Sequence, residues 1–112
     1  MSDDIKEILN SKILVLIKEA SSKRERITAK EIAHILDIDR GPSSVKIRAR
    51  ITDLINQGHP IDASSTGYMY ISSKKQLDKY IDHLQGRIHG IEDRMQKVTS
   101  NYYYMDKGEK KQ

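Results

Sequence analysis

At 112 residues, 37% hydrophobic and 32% charged, with neither Phe nor Trp, the chain has room for one small domain with an aliphatic core plus an extension, not for two full cores. It has no cysteine, which excludes disulfides and thiolate metal sites and suits a reducing compartment. The net charge of +4 is unevenly placed: residues 23–50 hold eight Lys or Arg against four acids, a local excess that fits a nucleic-acid face.

The start Met1-Ser2-Asp3-Asp4 is acidic and has no signal-peptide pattern. No apolar run approaches the roughly 20 residues that a membrane span requires. A soluble cytoplasmic protein is therefore expected. A core this small is often supplemented by oligomerisation.

In chain order, residues 3–20 read as a first helix, with Ile5, Leu9, Ile13, Leu16, Ile17 and Ala20 on one face. Alternatively, Ser11 caps a shorter helix over 12–20. A polar loop, Ser21-Ser22-Lys23-Arg24-Glu25-Arg26, leads to Thr28, which with Glu31 forms a capping box for a second helix from Ala29 to about Leu36. Ile27 and Ile32 are placed to staple that helix start. Gly41-Pro42 forbids helix continuation through the turn Asp37–Pro42.

Ser43 or Ser44 can cap a third helix that runs to Gln57, where Gly58 ends it. Its Ile47, Ile51 and Leu54 share one face and must point at the core. The opposite face is then Val45, Ala49 and Thr52, with Lys46 and Arg50 along one flank and Arg48 along the other. Such a small ridge between basic flanks suits the major groove, where Ala and Thr meet thymine methyls and cations reach phosphates or guanine edges. Ile61, Ala63, Tyr68 and Tyr70 alternate as two short strands around the tip Ser64-Ser65-Thr66, and Gly67 sits where a turn needs positive φ. This hairpin must lean on the helical core.

From Ser73, which is placed to form a capping box with Gln76, the pattern changes. Leu77, Ile81, Leu84, Ile88, Ile91, Met95 and Val98 alternate spacings of four and three, and Tyr102 and Met105 extend the series. This is a heptad repeat with Ile81, Ile88, Met95 and Tyr102 at a and the others at d, a pattern that favours a parallel two-stranded coiled coil. In that arrangement Arg87 at g faces Glu92 at e of the partner. Gly86 and Gly90 lie on the outer face, each costing about 1 kcal/mol relative to Ala, so the coil is expected to be soft at its centre. Residues 106–112 read as a disordered tail.

Four histidines, His34, His59, His83 and His89, have poor ligand spacing and read as surface residues, so no metal is expected. No Ser-His-Asp order, paired catalytic carboxylates or phosphate-cradling glycine loop is present, and neither an enzyme nor a cofactor is expected.

Together the stretches Ile27-Thr28-Ala29-Lys30-Glu31-Ile32-Ala33, Ile47 with Ile51 and Leu54, Gly58-His59-Pro60-Ile61 and Gly67-Tyr68-Met69-Tyr70 resemble winged helix-turn-helix DNA-binding domains. They look most like the type found at the N-terminus of the biotin operon repressor and related bacterial regulators. The resemblance covers roughly residues 11–72. It implies that Ser43, Ser44, Lys46, Arg48 and Ala49 belong to the recognition helix, and it carries over no enzymatic domain. Two departures stand out: the turn at Asp37–Pro42 is longer than the compact version, and the wing tip has no Lys or Arg.

The expected fold is thus mainly α with a small β-hairpin. A winged helix-turn-helix over 1–72 is followed by a coiled-coil dimerisation helix over 73–105. The expected function is sequence-specific double-stranded DNA binding as a homodimer, as a transcriptional regulator of a bacterial, archaeal or phage-infected cell. DNA contacts are expected from Ser43, Ser44, Lys46, Arg48, Ala49, Arg50, Thr52, Arg40, Lys23, Arg24, Arg26, Lys30, Ser65 and Thr66. An adaptor that binds another protein, and a DNA-organising or replication-origin protein, are the rival expectations.

Overall fold

A computed structural model describes residues 2–38 and 44–108, with side chains to Met105. In order, the elements are α1 (Asp3–Ser22), α2 (Ala29–Leu36), α3 (Val45–Asn56), β1 (Ile61–Ser64), β2 (Gly67–Tyr70) and α4 (Lys74–Gly108). The chain divides into two compact units, Met1–Ser72 and Ser73–Gln112.

The first unit is built around isoleucine. The largest side chains that are fully buried, Ile13, Ile17, Ile32, Ile47 and Ile51, are all of this type, and they come from all three helices. With no Phe or Trp to fill volume, the β-branched aliphatic side chain supplies the packing, and Leu9, Leu16, Tyr68 and Tyr70 close the margins. α1 is one helix capped by Ser2, whose Oγ accepts the Ile5 N–H, so the shorter alternative from Ser11 does not apply. Ile5, expected on the core face, is 54% exposed because the inward face of α1 is set by Asn10, Ile13 and Ile17, and the helical period carries Lys6 rather than Ile5 onto it.

Local rules decide the helix ends. The Glu31 N–H donates to Thr28 Oγ1 and the Thr28 N–H to Glu31 Oε1, completing the capping box, and Ile27 and Ile32 are both buried as a staple requires. The three helices of the first unit stop in the same way. Arg24, Asp37 and Gly58 adopt φ of 59°, 56° and 109°, and the next residue's N–H reaches back five positions, to Ala20, Ala33 and Leu54 respectively.

β1 and β2 pair antiparallel, Ile61 opposite Tyr70 and Ser64 opposite Gly67. Ile27 adds a one-residue bridge on the far side of β2: the Tyr68 N–H donates to Ile27 O at 2.7 Å, and the Ile27 N–H to Tyr68 O at 3.1 Å. Gly67 (φ 126°) is required twice over there, since a Cβ would stand 2.9 Å from the Ile27 carbonyl oxygen. The Tyr70 N–H donates to Ser21 Oγ at 2.6 Å, and that hydroxyl donates to Ile17 O, tying the hairpin to α1.

The second unit is a single helix of 35 residues, about 52 Å long. Ser73 Oγ accepts the Gln76 N–H at its start. It is continuous through Gly86 and Gly90 and through residues 106–108, so the helix extends beyond the end expected at residue 105. Residues 109–112 of the expected tail lie outside the described residues. Ile81, Ile88, Ile91, Met95 and Val98 of the heptad stripe are exposed, and Leu84 is half-buried. No helix of the described residues is long and apolar enough to cross a membrane.

Candidate nucleic-acid interface

α3 carries the largest group of the expected contact residues, and its two faces differ sharply. Ile47, Ile51 and Leu54 are buried, whereas Val45, Lys46, Arg48, Ala49 and Thr52 are exposed. Burial of the first three fixes the rotation of the helix, and the 3.6-residue period then forces the others outward.

Within that outer face the side chains have distinct surroundings. The Thr52 hydroxyl donates to Arg48 O at 3.1 Å and is turned back on the helix. The charge of Arg48 is felt electrostatically at the hairpin residue Tyr68. Burial pushes the Tyr68 phenol above its ordinary range, and the positive charge of Arg48 partly offsets this.

Three expected contact residues are placed differently by the structure. Ser44 is only 2% exposed, has φ 50° and makes no side-chain cap; its carbonyl accepts the Arg48 N–H instead. It begins the helix by backbone alone, and its hydroxyl is not presented to a partner. The Arg50 side chain is 12% exposed, with Nη1 2.8 Å from Asp53 Oδ2 in a charge contact that is not aligned as a hydrogen bond. Its position beside the core face, one step from Ile51, draws it inward, so it belongs to the packing of α3.

Arg26 is the third. Its Nη1 donates to Asp62 Oδ1 at 3.0 Å and to Gly67 O at 3.2 Å, and its Nη2 donates to Asp62 Oδ2 at 2.8 Å. This two-pronged pair locks the loop before α2 to both strands. Arg26 acts as a hairpin clamp.

The remaining positions lie at the surface. Lys23, Arg24 and Lys30 are exposed around the start of α2, with Arg24 doubling as the left-handed end of α1. Ser65 and Thr66 are exposed at the hairpin tip, where the Ser64 hydroxyl holds Thr66 Oγ1 at 2.9 Å. Arg40 and Ser43 lie outside the described residues.

Sequence reasoning missed a polar cluster under the hairpin. His59, read as a surface residue, is half-buried with Nδ1 3.2 Å from Tyr70 Oη, and Lys18 Nζ lies 4.9 Å from the centre of the Tyr70 ring. The Pro60-Ile61 strand start, which pulls His59 back towards β2, was the available signal. Among the described residues no group of three or more His, Asp or Glu side chains is arranged to hold a metal ion. No protein-family model, curated protein or solved structure matches the chain.

Proposed function

We propose that the protein binds double-stranded DNA in a sequence-specific manner as a homodimer and acts as a transcriptional regulator. In this reading the first unit is a winged helix-turn-helix, with α3 as the recognition helix and the β1–β2 hairpin as the wing. The observation that carries it is the two-sidedness of α3: an isoleucine-anchored inner face and an outer face with Lys46 and Arg48 exposed. Lys46, Lys23, Arg24 and Lys30 serve as phosphate contacts, and the wing, whose tip has no cation, braces α3 with a light touch on the backbone.

The partner for α4 is a second copy of the same chain. Its stripe of a and d positions is exposed along the helix except at the half-buried Leu84, and a parallel pairing sets Arg87 against Glu92 of the other strand. Two first units joined in this way address paired half-sites about 10 bp apart or a multiple of that. Sedimentation of the full chain checks this half of the reading. A dimer is expected, and Ile88→Asp, which puts a charge in the seam, is expected to sediment as a monomer whose helix content falls only by the part that α4 contributes.

DNA binding is tested by fluorescence anisotropy on a pool of random duplexes at low ionic strength. Affinity that falls steeply as salt rises is expected, and no salt-sensitive binding to any duplex overturns the reading. One observation favours a rival. Residues 1–72 hold eleven Lys or Arg against ten Asp or Glu, a thin cationic excess for a DNA-binding unit. A protein-interaction adaptor of the same architecture is therefore the second reading, and full activity in a Lys46/Arg48 double-alanine variant supports it.

A further inference from the structure

The outer face of α3 is less polar than a water-facing helix needs to be. Val45 is 63% exposed, and Ala49 and Thr52 are exposed beside it. They stand at i, i+4 and i+7, a single line on the side opposite Ile47, Ile51 and Leu54. Thr52 extends the line because its hydroxyl is occupied by the Arg48 carbonyl, so its γ-methyl is the group left to project. Three aliphatic groups thus form a stripe beside Lys46 and Arg48, and none of them contributes to the buried core.

This combination narrows the ligand chemistry. Flanking cations match a polyanion. The apolar group that DNA offers on its major-groove edge is the C5-methyl of thymine. Seven residues of helix cover about 10 Å, roughly three base steps at 3.4 Å each. We propose that Val45, Ala49 and the Thr52 methyl read thymine C5-methyl groups, so that each half-site contains a run of about two or three thymines on one strand. This rests on the DNA-binding reading above and names the bases which that reading leaves open.

Selection of random duplexes by the full chain, followed by replacement of each thymine in the best duplex with deoxyuridine, tests it. Deleting a contacted methyl is expected to weaken binding about three- to fourfold, at adjacent positions on one strand. Thr52→Ser keeps the hydroxyl and removes only the methyl, and is expected to erase the thymine preference at one position. Thr52→Val keeps the methyl and is expected to retain it, while Val45→Ser is expected to erase the preference at a different position. The opposite pattern, loss in Thr52→Val and retention in Thr52→Ser, overturns the proposal by assigning the reading to the hydroxyl. Equal affinity for thymine and deoxyuridine duplexes overturns it and leaves DNA binding standing. Failure to bind any duplex overturns both.

Discussion

Arg26 and Asp62, 36 residues apart, meet fork to fork, with both carboxylate oxygens held by the two terminal guanidinium nitrogens at 3.0 and 2.8 Å. The Asp62 side chain is 12% exposed and that of Arg26 30%, so the pair is partly shielded from water. Removing one member leaves the other partly shielded from water without its counter-charge. Asp62→Ala is expected to cost about 2–3 kcal/mol in urea unfolding. Arg26→Ala is expected to cost a similar amount, with non-additivity in the double variant reporting the coupling.

Glycine chemistry at two positions gives predictions of opposite sign. Gly67→Ala places a Cβ 2.9 Å from the Ile27 carbonyl in a backbone conformation that alanine avoids, and a loss of at least about 2 kcal/mol is expected. Arg24 adopts the left-handed conformation that glycine takes at Gly58. Arg24→Gly is expected to raise stability by roughly 0.5–1 kcal/mol, read as an increased denaturation midpoint.

Asn10 is buried on α1, and its side-chain oxygen has no hydrogen-bond partner among the described residues. A buried carbonyl left unpaired is destabilising, and an apolar side chain of similar shape avoids that cost. Asn10→Leu is expected to stabilise the fold by about 1 kcal/mol. A decrease on calorimetry refutes this account of the site.

Burial raises the Tyr68 pKa above its ordinary value of 10.0. The folded state therefore holds the phenol proton more tightly than the unfolded chain does. The associated stabilisation is zero at neutral pH relative to a neutral isostere and turns into a loss as pH rises past about 10. Urea midpoints are expected to fall above that pH, and Tyr68→Phe is expected to flatten the fall.

Cations on α3 should divide by surroundings. Lys46→Ala is expected to weaken DNA binding similarly on all sequences and to lower the salt slope by about one. Arg48→Ala is expected to cost about 1–3 kcal/mol and to relax specificity at one position. Arg50→Ala, at a side chain engaged by Asp53, is expected to lower stability and to leave the salt slope unchanged.

Features governed by near neighbours were legible in the sequence. Thr28 with Glu31 spelled the start of α2, Gly58 the stop of α3, and Ile47, Ile51 and Leu54 the inner face. Those depend on hydrogen bonds and contacts within one or two helical turns. The fates of Arg26, Arg50 and Ser44 were not legible. A long cationic side chain reads the same whether it ends in water or on a carboxylate 36 positions away, and only the tertiary fold decides between them. Ser44 illustrates a second limit, because the chain enters α3 in a left-handed conformation that a capping serine does not use.

The Ser21 hydroxyl, bridging Tyr70 N–H and Ile17 O, has a consequence for solubility. A two-stranded sheet ordinarily offers backbone groups that recruit further strands from other molecules. Here the side of β2 away from β1 is taken up by Ile27 at Tyr68 and by Ser21 at Tyr70. β1 is four residues long, is entered from Pro60, which has no N–H to offer, and carries the charged Asp62. The outer edge of β2 is thus covered and β1 is short, and both disfavour edge-to-edge association with strands of other molecules.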